Sequence, residues 1–280
     1  MPAALYKIVR NNSAKNPHPV VVTRDVTIQT AEQASDYLLC ATCEGRFNEG
    51  GENWVIPRCW HSTTSFPLRA LLTVALPNAD QSMAVYEAAN LPDVEPDKLA
   101  YFASSLFWRA AAHDWPLNKG VVPRLRLGPY EEDLRLYLLG GSFPSNAAMI
   151  IAVGHGMEEM RNSVITLPHL AGREKGWRLY RCTVPGITFA LFVGNALSPE
   201  IRRTCSVRTP ARHIYSIDEI DKMNFQGAIA TYARSRPVGS WASKRADTAG
   251  APSPWSPEET TRLLPKSRRR SSGRAKTGSV

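Results

Sequence analysis

Cys40 and Cys43 stand three residues apart in DYLLCATCEGRFNEGGENWV, and carboxylates and glycines follow at once. A C-x2-C pair can place two thiolates on one metal ion, because the intervening residues form a tight knuckle whose amides point toward the sulfurs. Structural zinc takes four ligands, mostly from Cys and His. The nearest further candidates are Cys59 and His61 in PRCWHST, which makes the full set C-x2-C-x15-C-x-H. One residue between Cys59 and His61 is shorter than the usual loop, and His18 stands as a substitute ligand.

Two other readings compete with zinc. A C-x2-C pair can be a redox couple, and small cysteines after the apolar Tyr37-Leu38-Leu39 can simply fill a core. A thioredoxin-like couple follows a strand within a βαβ pattern, which this region lacks, so zinc is the reading carried forward. Glu44, Glu49 and Glu52 have the chemistry to hold a hard cation. No histidine accompanies them in register, and they read as solvated acids on a turn and a helix start.

The elements around the knuckle follow from periodicity. In DKLAYFASSLFWRAAAHDW (97–115), Leu99, Phe102, Ala103, Leu106, Phe107, Ala110 and Ala111 recur at helical spacing. Pro96 sits just before this helix, where a proline is tolerated, and Pro116 just after it, where one helps to stop it; Trp108 and Arg109 read as its core and rim. PYEEDLRLYLL (129–139) predicts a second helix, with three acids at its positive end and Gly140-Gly141 to stop it. SFPLRALLTVALP (65–77) predicts a shorter one. Beyond about residue 147 the texture becomes strand-like. AAMIIAVGH is a short apolar run, and WRLYRCTV and ITFALFVG flank Pro185-Gly186 as a hairpin. ARHIYSI predicts another strand, followed by a short helix from Ser216 with Glu219 at capping-box spacing. His155 reads as a strand-end histidine in a turn, and Cys182 and Cys205 as packing residues. No phosphate-binding glycine loop and no G-x-S-x-G elbow is present.

Composition bounds the class. Hydrophobic residues make up 43% of 280, enough for a sizeable core. No stretch of about 18 uncharged apolar residues suggests a membrane span, and the start has no signal-peptide character. Five cysteines, an odd number, in a chain this long point to a reducing, cytoplasmic setting. The net charge of +9 belongs mostly to the end of the chain. Residues 236–280 carry ten Lys/Arg against three acids, or +7, leaving 24 against 22, or +2, for the first 235. That end is rich in Ser, Pro, Gly and Arg and is expected to be disordered. Its KSRRRSSGR run suits DNA or RNA, and a solvated basic end without a partner is the competing reading.

YLLCATCEGRFNEGGENWV resembles the second half of an HNH-like, treble-clef zinc module, in which an apolar knuckle opens a short helix. It is also similar to a family of uncharacterised bacterial proteins. In these a C-x-x-C-E knuckle precedes a helix ending in FWRAA, here LAYFASSLFWRAAAHDW, with LGPYEEDLRLYLL after it. The resemblance covers roughly residues 1–235 and rests on these three motifs. HNH nucleases carry a histidine directly after the second knuckle cysteine, where this chain has Glu44. Family members begin with a first cysteine pair and a Ser-His-x-x-Pro segment that supplies the general base. MPAALYKIVR looks like the residues just after that segment.

The expectation is an α+β protein with a small treble-clef-like zinc-knuckle N-terminus (1–64), a helical middle (65–145), an antiparallel β-rich C-terminal half (146–235) and a disordered tail (236–280). Residues 65–235 are expected to form one domain with the module. The expected structural zinc ligands are Cys40, Cys43, Cys59 and His61; set beside the resemblance, either the last two replace the lost ligands or the first half of the module is missing, and no catalytic residue is assigned. A non-enzymatic, nucleic-acid-associated protein is the leading function. The alternatives are a metal-dependent endonuclease whose catalytic half lies upstream of Met1, and a protein-interaction module working through the β-rich half and the basic tail.

Overall fold

The computed structural model describes residues 2–10, 20–22, 26–29, 38–79, 83–117, 120–122, 124–156, 163–217, 230 and 236–238. The chain divides into two units, one of residues 1–21 and 29–225, the other of residues 22–28 and 226–280.

The first unit is built around one helix and one sheet. Its described elements begin with α1 (Ala3–Ile8), whose Leu5 is buried, and the start of a short strand β1 (Val20–Val22), whose last residue is counted with the second unit. The second unit contributes β2 (Val26–Gln29). The knuckle region is helical throughout: α2 (Ala41–Phe47), a π-helical stretch Asn48–Glu52, α3 (Asn53–Val55) and a 3₁₀ turn Ile56–Arg58. Next come α4 (Pro67–Leu72), β3 (Asn78–Ala79), β4 (Met83–Glu87) and the central helix α5 (Pro96–Ala112). A small hairpin of β5 (Trp115–Leu117) and β6 (Gly120–Val122) precedes α6 (Tyr130–Leu138).

Helix α5 starts on Pro96 at a position that needs no N–H and carries Asp97 in its first turn. Its buried residues run around most of its circumference, from Leu99 and Phe102 to Ser104, Ser105, Arg109 and Ala111. A helix buried on so many sides needs small residues where neighbours approach closely, and Ala100, Ala103, Ser104 and Ser105 supply them. The tightest approach is from the π-helical stretch. A Cβ on Gly51 would stand 2.8 Å from Phe102 Cβ and 2.9 Å from the Lys98 carbonyl oxygen, so only glycine fits there.

The sheet is completed by β7 (Ala147–Val153), β8 (Thr166–Glu174), β9 (Trp177–Val184), β10 (Ile187–Gly194) and β11 (His213–Ile217), with α7 (Pro199–Arg203) between the last two. Its seven strands run in the order β3-β4-β11-β7-β10-β9-β8. Alternation sends one set of side chains into the core. Ile187, Phe189 and Leu191 of β10 pair in register with Val153, Ile151 and Met149 of β7, and with Val184, Cys182 and Tyr180 of β9. All nine are at most 1% exposed, and Phe102 of α5 meets Phe189 at a ring separation of 6.0 Å. Cys182 and Cys205 are buried, as packing residues should be.

The structure corrects the expected outline in four places. The middle is not purely helical, because β3 and β4 belong to the same sheet as the C-terminal strands. The sheet is not wholly antiparallel: β11 pairs with β7 in parallel, Tyr215 opposite Ala152. The chain leaves β10, which is antiparallel to β7, and returns on the far side of β7 running opposite to β10, hence parallel to β7. Ser216 is no helix cap but part of β11, and the remainder of that expected helix lies outside the described residues. Arg236–Val238, placed in the tail, forms a strand, β12, paired in parallel with β2 in the second unit. The rest of the tail lies outside the described residues. No described helix is long and apolar enough to cross a membrane.

Replacing Gly51 by Ala should cost about 1–3 kcal/mol, the usual range for overpacking against a fixed backbone. Urea unfolding measures it; an unchanged midpoint would mean that α5 and the π-helical stretch are not held in this contact.

Candidate functional site

The knuckle opens a helix. Cys40 is the N-cap residue with extended backbone (φ −74°, ψ 163°), and the first helical bond runs from the Glu44 N–H to the Cys40 carbonyl at 2.9 Å. Cys43 is the third helical residue, the position to which an N-cap side chain reaches back. The two thiols are neighbours at the surface, Cys40 exposed and Cys43 half-buried. The Cys43 N–H, and after it the Cys43 thiol, holds the Cys40 pKa below the ordinary thiol value. Cys40 makes no full capping hydrogen bond, so this is the effect of nearby donors. The contact with Cys40, followed by partial burial, pushes Cys43 the other way.

Cys59 and His61 do not join them. Cys59 is fully buried, its thiol directed at the Val55 carbonyl 3.6 Å away, and burial pushes its pKa up. His61 is exposed, with Nε2 3.0 Å from the Pro57 carbonyl oxygen. Among the described residues no group of three or more His, Cys, Asp or Glu side chains is arranged to hold a metal ion. His18 lies outside the described residues. The four expected ligands therefore do not form one tetrahedral site; two of them, Cys40 and Cys43, are brought together.

Glu44 and Glu52 have another partner. Arg109 donates from Nη1 to Glu52 Oε1 at 2.6 Å and from Nη2 to Glu44 Oε2 at 3.4 Å. Arg109 and Glu52 are buried, at 7% and 8% exposure, whereas Glu44 is more open. The guanidinium also lies 4.8 Å from the Phe47 ring centroid, and Phe47 meets Tyr101 and Trp108 edge-on. The π-helical stretch explains how two acids eight positions apart reach one cation. In a regular α-helix the second would sit roughly 80° around the axis from the first. The wider π turn absorbs about one residue and brings Glu52 back toward the face of Glu44. This overturns the reading of Glu52 as a solvated acid and of Arg109 as a rim residue. Glu49 remains exposed.

One further juxtaposition is invisible along the chain. His155, just past the end of β7, has Nδ1 3.3 Å from Ser216 Oγ on β11. The parallel pairing of those strands brings together residues 61 positions apart. Arg69 of α4 donates to the Gly154 carbonyl and braces the same turn.

Breaking the buried pair from one side should be costly. Arg109→Met leaves Glu52 buried beside no cation and is expected to lose about 3–5 kcal/mol; the double variant with Glu52→Met should recover most of it. Urea unfolding of the wild type, both single variants and the double variant measures the coupling, and additive losses would show that the pair is not an energetic unit.

No protein-family model, no curated protein and no solved structure matches the chain. Cys40, Cys43 and the Arg109 cluster are the features from which its function must be read.

Proposed function

We propose that the protein is a non-catalytic, HNH-like accessory protein that binds zinc through Cys40 and Cys43 and associates with DNA or RNA through its basic C-terminal segment. The reading is carried by one observation: two accessible thiols share a helix start beside acids already committed to Arg109. A hydrolytic centre needs carboxylate or imidazole groups free to hold a cation and activate water. Glu52 is neutralised in the interior, and Glu44 leans on the same guanidinium. The thiols suit a soft, structural ion. They supply two of its four ligands. Support for nucleic acid is the charge distribution, since residues 262–280 carry seven Lys/Arg and no acid.

Zinc content of the purified protein tests the metal claim. Stoichiometric zinc should survive Cys59→Ala and His61→Ala and be lost in the Cys40→Ser, Cys43→Ser double variant. Wild-type protein without zinc, or zinc retained by the double variant, would sink it. For nucleic acid, the slope of log affinity against log salt should flatten by several units when residues 262–280 are deleted, at about 0.9 per lost duplex phosphate contact. An unchanged slope would transfer the binding to another surface or deny it.

A further inference from the structure

We infer that Cys40 and Cys43 form a thiol–disulfide exchange pair, with Cys40 as the attacking and Cys43 as the resolving thiol. The inference goes beyond the zinc reading and does not depend on it, because it concerns the metal-free dithiol. Its ground is placement. The five cysteines are all free, and three of them, Cys59, Cys182 and Cys205, are at most 1% exposed. Reaction with a disulfide in solution is thereby confined to the knuckle. There the outer thiol is open to attack an incoming disulfide, and the inner one stands within a single helical turn of it, half-shielded.

The surroundings favour closure over a lasting mixed disulfide. Cys40 precedes the helix, so its side chain can turn toward the first turn without disturbing the hydrogen-bonded ladder. Cys43 sits on a helix that is held rigidly from behind. Phe47 is buried against Tyr101 and Trp108, and Glu44 and Glu52 are tied to Arg109. The resolving thiol is therefore presented at a fixed place. No third His, Cys, Asp or Glu among the described residues completes a metal site around the pair, so the free dithiol is not shielded by a full set of ligands from this part of the chain.

The chemistry balances with a low-molecular-weight or protein disulfide, RS–SR, as the oxidant. Cys40 thiolate attacks one sulfur, forming a Cys40–SR bond and expelling the first RS⁻. Cys43 thiolate then attacks Cys40 Sγ, forming the Cys40–Cys43 bond and expelling the second RS⁻. Two protein thiols are oxidised by two electrons, the external disulfide is reduced to two thiols, and the two protein protons end on those thiols or in solvent.

The test uses the full chain, treated with a chelator, and the aromatic disulfide 5,5′-dithiobis(2-nitrobenzoate) as probe. The wild type should release two equivalents of the coloured thiolate under native conditions and end two mass units lighter, without an adduct. Cys43→Ser should stop after one equivalent as a stable mixed disulfide on Cys40. Cys40→Ser, left with only the half-buried thiol, should react more slowly than Cys43→Ser. Stable adducts on both cysteines of the wild type would overturn the inference, as would a Cys40→Ser variant that reacts as fast as Cys43→Ser. A separate zinc titration of the same sample keeps the two readings apart. Exchange without zinc uptake defeats only the zinc reading; zinc uptake without disulfide closure defeats only this one.

Discussion

A guanidinium buried against one carboxylate, and reached by a second and more open one, fixes the arrangement on which the remainder of the structure depends. Arg109 and Glu52 are both shielded from water, and a charge so placed is tolerated only with a partner in good geometry. That requirement reaches outward. It demands the π-helical stretch that turns Glu52 inward, the bare Gly51 that lets this stretch lie on α5, and a central helix carrying an arginine among its buried residues. Phe47 closes one side of the cation, and the Trp115 indole N–H holds the Arg109 carbonyl at 3.1 Å. The knuckle helix is thus not an appendage but is bolted to the interior.

The same bolt separates the sulfurs. Once Glu52 is anchored, the chain continues through Trp54 and Val55 into the core and carries Cys59 beneath the surface with them. Cys40, at the opposite end of the helical run, stays in solvent. Two residues that a linear pattern groups as ligands are thereby put into different dielectric settings, one favouring a thiolate and the other a neutral thiol.

Much of the fold could be read along the chain because its signals are local. The apolar stripe of α5, the acidic start and glycine stop of α6, and the Pro185-Gly186 turn with alternating residues on either side each depend on a few neighbouring positions. Strands β3 and β4 escaped because they are short and lie next to a helix-rich stretch. Strand β8 escaped because register shifts interrupt its pairing with β9 and so blur its alternation. The Arg109–Glu52 pair joins residues 57 positions apart. A charged side chain reads as exposed until its partner is known, so local chemistry gave the wrong environment for both. The available hint was Gly50-Gly51 inside a helical run, which costs helix stability and asks for a reason of close packing. At the site, spacing identified Cys40 and Cys43 as neighbours, since one helical turn suffices. Cys59 and His61 needed knowledge of which way the chain turns after the helix.

Strand β11 is the keystone of the sheet. It lies between β4 on one side and β7 on the other, yet it comes from the last stretch of the first unit. The strands β7, β10, β9 and β8 can assemble from contiguous chain, and β3 with β4 forms a small ribbon far earlier. Neither group touches the other edge to edge until residues 213–217 emerge and slot between them. During synthesis the ribosome therefore releases two open strand edges that wait for the same late segment. Closure is governed by contacts of long sequence separation, the kind that slow folding and leave unpaired edges open to association with other chains.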